Sequence, residues 1–181
     1  MVDESQENIF LQADENILRE IIREAESYLS AQLQSAIAAD QRALSVAGVL
    51  GTVTIGLAGA GTALLIRVEP ITVLGWLALV LSLLLVLSMF LALLAAMPAS
   101  FEYGGNAPGQ WAEDVKKHQP IKDSLAEMAD HYDKMIAKND RQMRLNNTKL
   151  ALAVWLSGGS VAAGAVTLSV YLLFSAQTTV A

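Results

Sequence analysis

Read from its amino terminus, the chain passes between two kinds of pattern. From Asp14 to Arg42 apolar residues recur at intervals of three and four: Leu18, Ile22, Ala25, Leu29, Leu33 and Ala36, with Ile17, Ile21 and Tyr28 widening the stripe. That is the helical period. No glycine or proline interrupts the segment, so it predicts an amphipathic helix that continues without a break into residues 43–66. That next run contains no charged residue. A second uncharged run, dominated by leucine, covers 71–97 between Pro70 and Pro98, and a third covers 150–174. At 1.5 Å rise per residue, about 24 residues span roughly 36 Å, enough to cross a hydrocarbon core of about 30 Å with some tilt. Three runs of this length are too long for buried helices of a soluble domain, and the pattern predicts three transmembrane helices.

The polar stretch between the second and third runs opens on a breaker, Phe101 to Trp111, rich in glycine and reading as a loop. After Pro120, a natural first-turn residue, the helical period returns at Ile121, Leu125, Met128, Tyr132 and Met135. The same seam then meets Asn139, Gln142 and Asn146. Two amphipathic helices of about 29 residues, or roughly 43 Å, are therefore expected, each entering a span. Their apolar stripes predict a parallel pair. Asn139 and Asn146 either set its register, as polar seam residues do in coiled coils, or mark where the helix becomes solvated near lipid headgroups. The expected architecture is an all-α integral membrane protein. It has a cytoplasmic helix over 1–42, spans at 43–66, 71–97 and 150–174, a periplasmic turn at 67–70, a cytoplasmic loop and helix over 98–149, and a periplasmic tail at 175–181.

Charge sets the expected orientation. Arg19, Arg23 and Arg42 precede the first run, and eight further lysines and arginines lie between 98 and 149. The connection between the first two runs has Arg67 alone, and the tail has no basic residue. Eleven against one places the amino terminus and the long loop in the cytoplasm of an inner-membrane protein, with the carboxy terminus periplasmic. Trp155 at the inner boundary, and Trp76, Tyr171 and Phe174 at the outer one, fit that orientation. The acidic start MVDESQENIFLQADE does not resemble a cleaved signal peptide.

Composition narrows the chemistry. Charged residues make up 17% of the chain, below the roughly 25% of a soluble domain, and the net charge is −6. An acidic chain with no basic stripe is a poor partner for nucleic acid. With no cysteine, disulfides, thiolate catalysis and cysteine-ligated metals are excluded. No Asp, Glu, Lys, Arg or His falls inside any apolar run, which argues against transport by an ionisable relay. Glu127 and His131 stand four apart with Asp123 one turn earlier, a candidate metal set that reads more simply as a solvated face. No nucleotide or hydrolase fingerprint is present, and the chain is expected to be non-enzymatic and to need no cofactor.

Within lipid, small residues four apart mark helix contacts. Gly48, Thr52, Gly56 and Ala60 form one such face, with Gly159, Ser160 and Gly164 in the third run and Gly75, Ala78, Ser82 and Ala92 in the second. Three helices cannot bury every such face against one another, so homo-oligomerisation is expected alongside ordinary intramolecular packing. Phe101, Tyr103 and Trp111, aromatic and close to glycines, are candidates for contact with a ligand or partner, or for lying at the membrane interface.

The layout resembles a known group. A cytoplasmic helix enters the first span through Ala39-Asp40-Gln41-Arg42-Ala43, a tight turn leads to a second span, and a soluble helix returns through 139–149 (NDRQMRLNNTK) to a last span. This is similar to the Pycsar transmembrane effectors and related SLATT proteins of bacterial antiphage systems. The resemblance implies an inner-membrane protein that assembles on a cytoplasmic cyclic-nucleotide signal and impairs membrane integrity. The other reading left open by the sequence is a structural or accessory subunit, its helical pair anchoring a larger complex through a partner membrane protein.

Overall fold

A computed structural model describes residues 9–68, 71–97 and 100–178, and it is all-helical. Helix α1 runs over Glu15–Leu65, α2 over Thr72–Ala95, α3 over Ala112–Lys117 and α4 over Ile121–Thr178, with single 3-10 turns at Ile9–Gln12 and Pro108–Trp111. Three of these helices, α1, α2 and α4, are long and apolar enough to cross a membrane. Each amphipathic stretch and the apolar run after it form one unbroken helix, because no helix breaker separates them. Expectations about Glu69, Pro70, Pro98, the acidic start at 1–8 and the tail at 179–181 fall outside the described residues. Helix α4 continues past the expected end of the third run at 174.

Local chemistry explains where the long helices start. Asp14 caps α1, its Oδ1 accepting from Asn16 N at 2.8 Å and Ile17 N at 3.0 Å. Pro120 has no N–H to orphan, and its carbonyl accepts the first helical bonds of α4 from Asp123 and Ser124. His118 breaks the chain between α3 and α4 by adopting a left-handed conformation, φ 52°, the usual C-terminal stop of a helix.

The chain divides into two compact units, one of Met1–Ala38 with Pro98–Arg144, the other of Ala39–Met97 with Leu145–Ala181. Helices α1 and α4 contribute residues to both. In the first unit, Leu18, Ile22 and Leu29 of α1 pack with Leu125, Ala126, Ala129, Tyr132 and Met135 of α4, and Phe10, Trp111 and Ile136 close the edges. Complete burial of a leucine contributes about 1.5–3 kcal/mol, so Leu18 and Leu29 alone weigh heavily against the small total stability of a domain. The stripes are narrower than their periodicity suggests: Ile17, Tyr28 and Ile121 stand about half exposed.

The second unit is packed differently. A buried cluster is formed by Ala47 of α1, Ala92 of α2 and Ala153 of α4. The inward face of α2 is Gly75, Ala78, Ser82, Leu85, Ser88, Ala92 and Ala95. Gly61 and Gly75 let α1 and α2 touch almost backbone to backbone, since a Cβ on Gly61 would lie 3.0 Å from the Gly75 carbonyl oxygen. Only 17–22% of each apolar window is buried, leaving Leu83, Phe90, Trp155 and Phe174 bare. A soluble monomer rarely exposes so continuous an apolar surface.

Candidate functional site

Asn139 lies at the centre of the first unit and is 1% exposed. Its Oδ1 accepts from the Glu102 backbone N–H at 3.0 Å, while its Nδ2 donates to the Glu102 carbonyl at 2.9 Å and to Gln32 Oε1 at 3.1 Å. Gln32, also buried, donates onward to Asp140 Oδ1 at 2.8 Å and to the Ile136 carbonyl at 3.3 Å. One amide side chain therefore ties α1, α4 and the loop after the second apolar run. The Glu102 carboxylate pairs with Lys138, whose hydrogen bond and charge hold its pKa below the ordinary 4.5.

Two turns before Asn139, toward the start of α4, a second tie holds the same loop. The Tyr132 hydroxyl accepts from Gly105 N and donates to Glu26 Oε1, both at 3.0 Å. Burial raises the Tyr132 pKa above 10.0, the Gly105 bond lowers it, and the Glu26 bond and charge raise it again. The double glycine has two separate reasons. A side chain on Gly104 would press within 3.2 Å of the Glu26 backbone, and Gly105 takes a φ of +99° that other residues rarely adopt.

The two asparagines of the seam are thus divided. Asn139 is a buried tie, whereas Asn146 belongs to the other unit, half-buried, with Lys149 Nζ donating to its Oδ1 at 3.4 Å. That lysine also donates to the Leu94 carbonyl near the end of α2, at 3.3 Å. Of the aromatics, Phe101 is half-buried, Tyr103 is 71% exposed and Trp111 packs against the core of the first unit.

Trp111 also faces an open groove of about 280 Å3, whose walls include Asp114, Ser124, Glu127 and His131. Glu127 and His131 are thereby brought beside Trp111, while Asp123 is not part of the lining. Among the described residues no group of three or more His, Asp or Glu side chains is placed to hold a metal ion. Sequence reasoning missed Gln32, Glu26 and Ser124. The signal for Gln32 was legible, since it stands three residues after Leu29 and four before Ala36, on the buried seam.

The small residues of the second unit also separate into two groups. Gly164 and Ser160 face inward: a Cβ on Gly164 would lie 2.6 Å from Leu81 Cδ1, and Ser160 Oγ donates to the Leu156 carbonyl at 2.7 Å. Gly48, Thr52, Gly56 and Ala60 stand at least partly exposed along one side of α1, and Gly159 is exposed on α4. A side chain at Gly48, Gly56 or Gly159 would meet nothing within 4 Å. Compared with protein-family models, curated proteins and solved structures, the chain shows no match.

Proposed function

We propose that this chain is a non-enzymatic, oligomeric protein of the bacterial inner membrane that perturbs the bilayer on a cytoplasmic signal, in antiphage defence. The observation that carries the reading is the continuity of α1 and α4, each a single helix with a polar, hydrogen-bonded half and an apolar half free of charge. A continuous helix of this kind links a signal received by polar side chains to the packing of apolar ones. In this reading the unit around Tyr132 and Asn139 is cytoplasmic, the three apolar helices span the membrane, and the carboxy terminus is periplasmic. The open Gly48, Thr52, Gly56 and Ala60 edge of α1 supports self-association, because small residues allow close helix approach in lipid. The resemblance to Pycsar and SLATT effectors supplies the trigger, a cyclic nucleotide.

The test is induced expression in bacteria carrying a membrane-potential dye, with and without a co-expressed nucleotide cyclase. Depolarisation that depends on the cyclase is expected. Unchanged potential in both arms would overturn the reading.

The half-exposed Ile17 and Tyr28, on one side of α1, favour a second reading, an accessory subunit that docks a partner protein on that side. Stable co-purification of one partner with unchanged membrane potential is the outcome that supports it.

A further inference from the structure

We propose that the groove beside Trp111 binds a small organic cation, a primary amine or guanidinium, held between Asp114 and Glu127 over the indole, with Ser124 in the lining. The first observation is charge. The lining contains two carboxylates and no lysine or arginine. Asp114 has no ion-pair partner among the described residues, and Glu127 accepts only an amide bond, from Gln119 Nε2 at 3.1 Å. An anionic ligand such as a phosphate would meet like charge here, whereas a cation finds two acceptors that form charge-assisted hydrogen bonds. The Trp111 ring adds the face on which organic cations settle.

The second observation is independent of charge. Ser124 is 5% exposed and lines the groove, yet its hydroxyl makes no hydrogen bond among the described residues. Buried hydroxyls in helices normally bond back to the preceding turn. Ser88 and Ser160 do so, to Leu84 and Leu156. The Ser124 oxygen, unlike Thr54 Oγ1, is not sealed from solvent, and in the lining of the groove it is an acceptor open to a donor. An ammonium or guanidinium carries several donors and no acceptor, which matches two carboxylates and one free hydroxyl. A metal ion does not match, because the His, Asp and Glu side chains do not converge. The volume, about 280 Å3, suits a ligand at the small end of the usual range.

The experiment uses the full chain in detergent with Trp76→Phe and Trp155→Phe, so that Trp111 is the single tryptophan fluorophore. Agmatine, which carries both cationic groups, is titrated against it, with inorganic phosphate at equal ionic strength as the opposite-charge arm. Saturable quenching by agmatine and none by phosphate is expected. Asp114→Asn or Glu127→Gln should weaken agmatine about tenfold, and Ser124→Ala several-fold. Ser124→Ala should leave thermal stability unchanged, since the hydroxyl has no bond to lose, so loss of fold does not mimic loss of binding. Glu113→Gln, which removes an exposed neighbouring charge outside the lining, should leave affinity unchanged. No saturable response up to about 10 mM agmatine, or an equal response to Glu113→Gln and Glu127→Gln, would overturn the proposal. Neither result bears on whether the apolar helices depolarise a membrane.

Discussion

In the unit of Met1–Ala38 and Pro98–Arg144 the interior is filled by Leu18, Leu29, Tyr132 and Met135, whereas in the other unit the inward positions include Ala47, Gly61, Gly75, Ala92, Ala153 and Gly164. The polar groups differ in the same sense. Buried amides and hydroxyls of the first unit reach across elements, as Asn139 does to Gln32 and Glu102 and Tyr132 does to Glu26 and Gly105. Buried serines of the second turn back on their own helix, as Ser82 does on Leu79 and Ser88 on Leu84, while the buried Thr54 Oγ1 bonds to nothing among the described residues. Water rewards removal of large apolar side chains, so a unit in water is built on them and is made specific by polar ties. Lipid offers no such reward, and close contact between small residues takes over. The contrast between the interiors is what one chain facing two solvents would show.

The largest effect that would test this contrast is expected at Asn139. Asn139→Leu removes three hydrogen bonds and strands the Glu102 backbone and the Gln32 amide in the core, for a loss of about 3–5 kcal/mol. Hydrogen exchange of the amides in residues 102–105 should rise by orders of magnitude, and a loss under about 1 kcal/mol would mean the tie is not holding the loop. Next come the two kinds of glycine. Gly75→Leu drives a side chain into Leu65 and should cost about 2–3 kcal/mol in mixed-micelle unfolding, while Gly56→Leu should leave the fold unchanged. If Gly56→Leu unfolds the single chain, that edge of α1 is not an outward surface. If it leaves the oligomer seen by native mass spectrometry unchanged, the edge is not an interface.

Tyr132→Phe should cost about 1–2 kcal/mol, leaving Gly105 N–H without its acceptor. The same residue sets an alkaline limit. Its folded pKa is raised, so its share of stability is complete below the unfolded value of 10.0 and is lost as pH climbs through the folded value. Glu102 acts with the opposite sign: its folded pKa is depressed, so its share is present above 4.5 and is lost as the pH falls through the folded value. Lys138→Ala should flatten that acid arm in a pH series of thermal melts and leave the alkaline arm intact. The smallest effect belongs to the exposed ion pair of Arg19 and Glu15, where Arg19→Ala should change stability by about 0.5 kcal/mol or less. A larger change there would show that the outer face of α1 is not simply solvated.

Much of the fold was legible because it is periodic. Uncharged runs longer than a soluble helix and stripes at three and four predicted the long helices and most of the core, Leu18, Ile22, Leu29, Leu125, Tyr132 and Met135. The breaker from Phe101 to Trp111 was legible as a loop, but its 3-10 turn at Pro108–Trp111 was not. The groove was half legible. Glu127 and His131 share a helix face by their spacing, yet nothing in the sequence says that Trp111 stands beside them.

By itself, then, the order of residues determined which segments are helical, where charge is excluded and which face of each helix is apolar, because those properties depend on neighbours three and four apart. Tertiary structure alone decided that Asn139 reaches Gln32 and Glu102 while Asn146 meets Lys149, and that Gly164 is filled by Leu81 while Gly56 stays open. It also decided that Ser124 keeps a free hydroxyl beside Trp111. Those outcomes depend on groups brought together from as many as 107 residues away, as Asn139 and Gln32 are, and no local pattern encodes them.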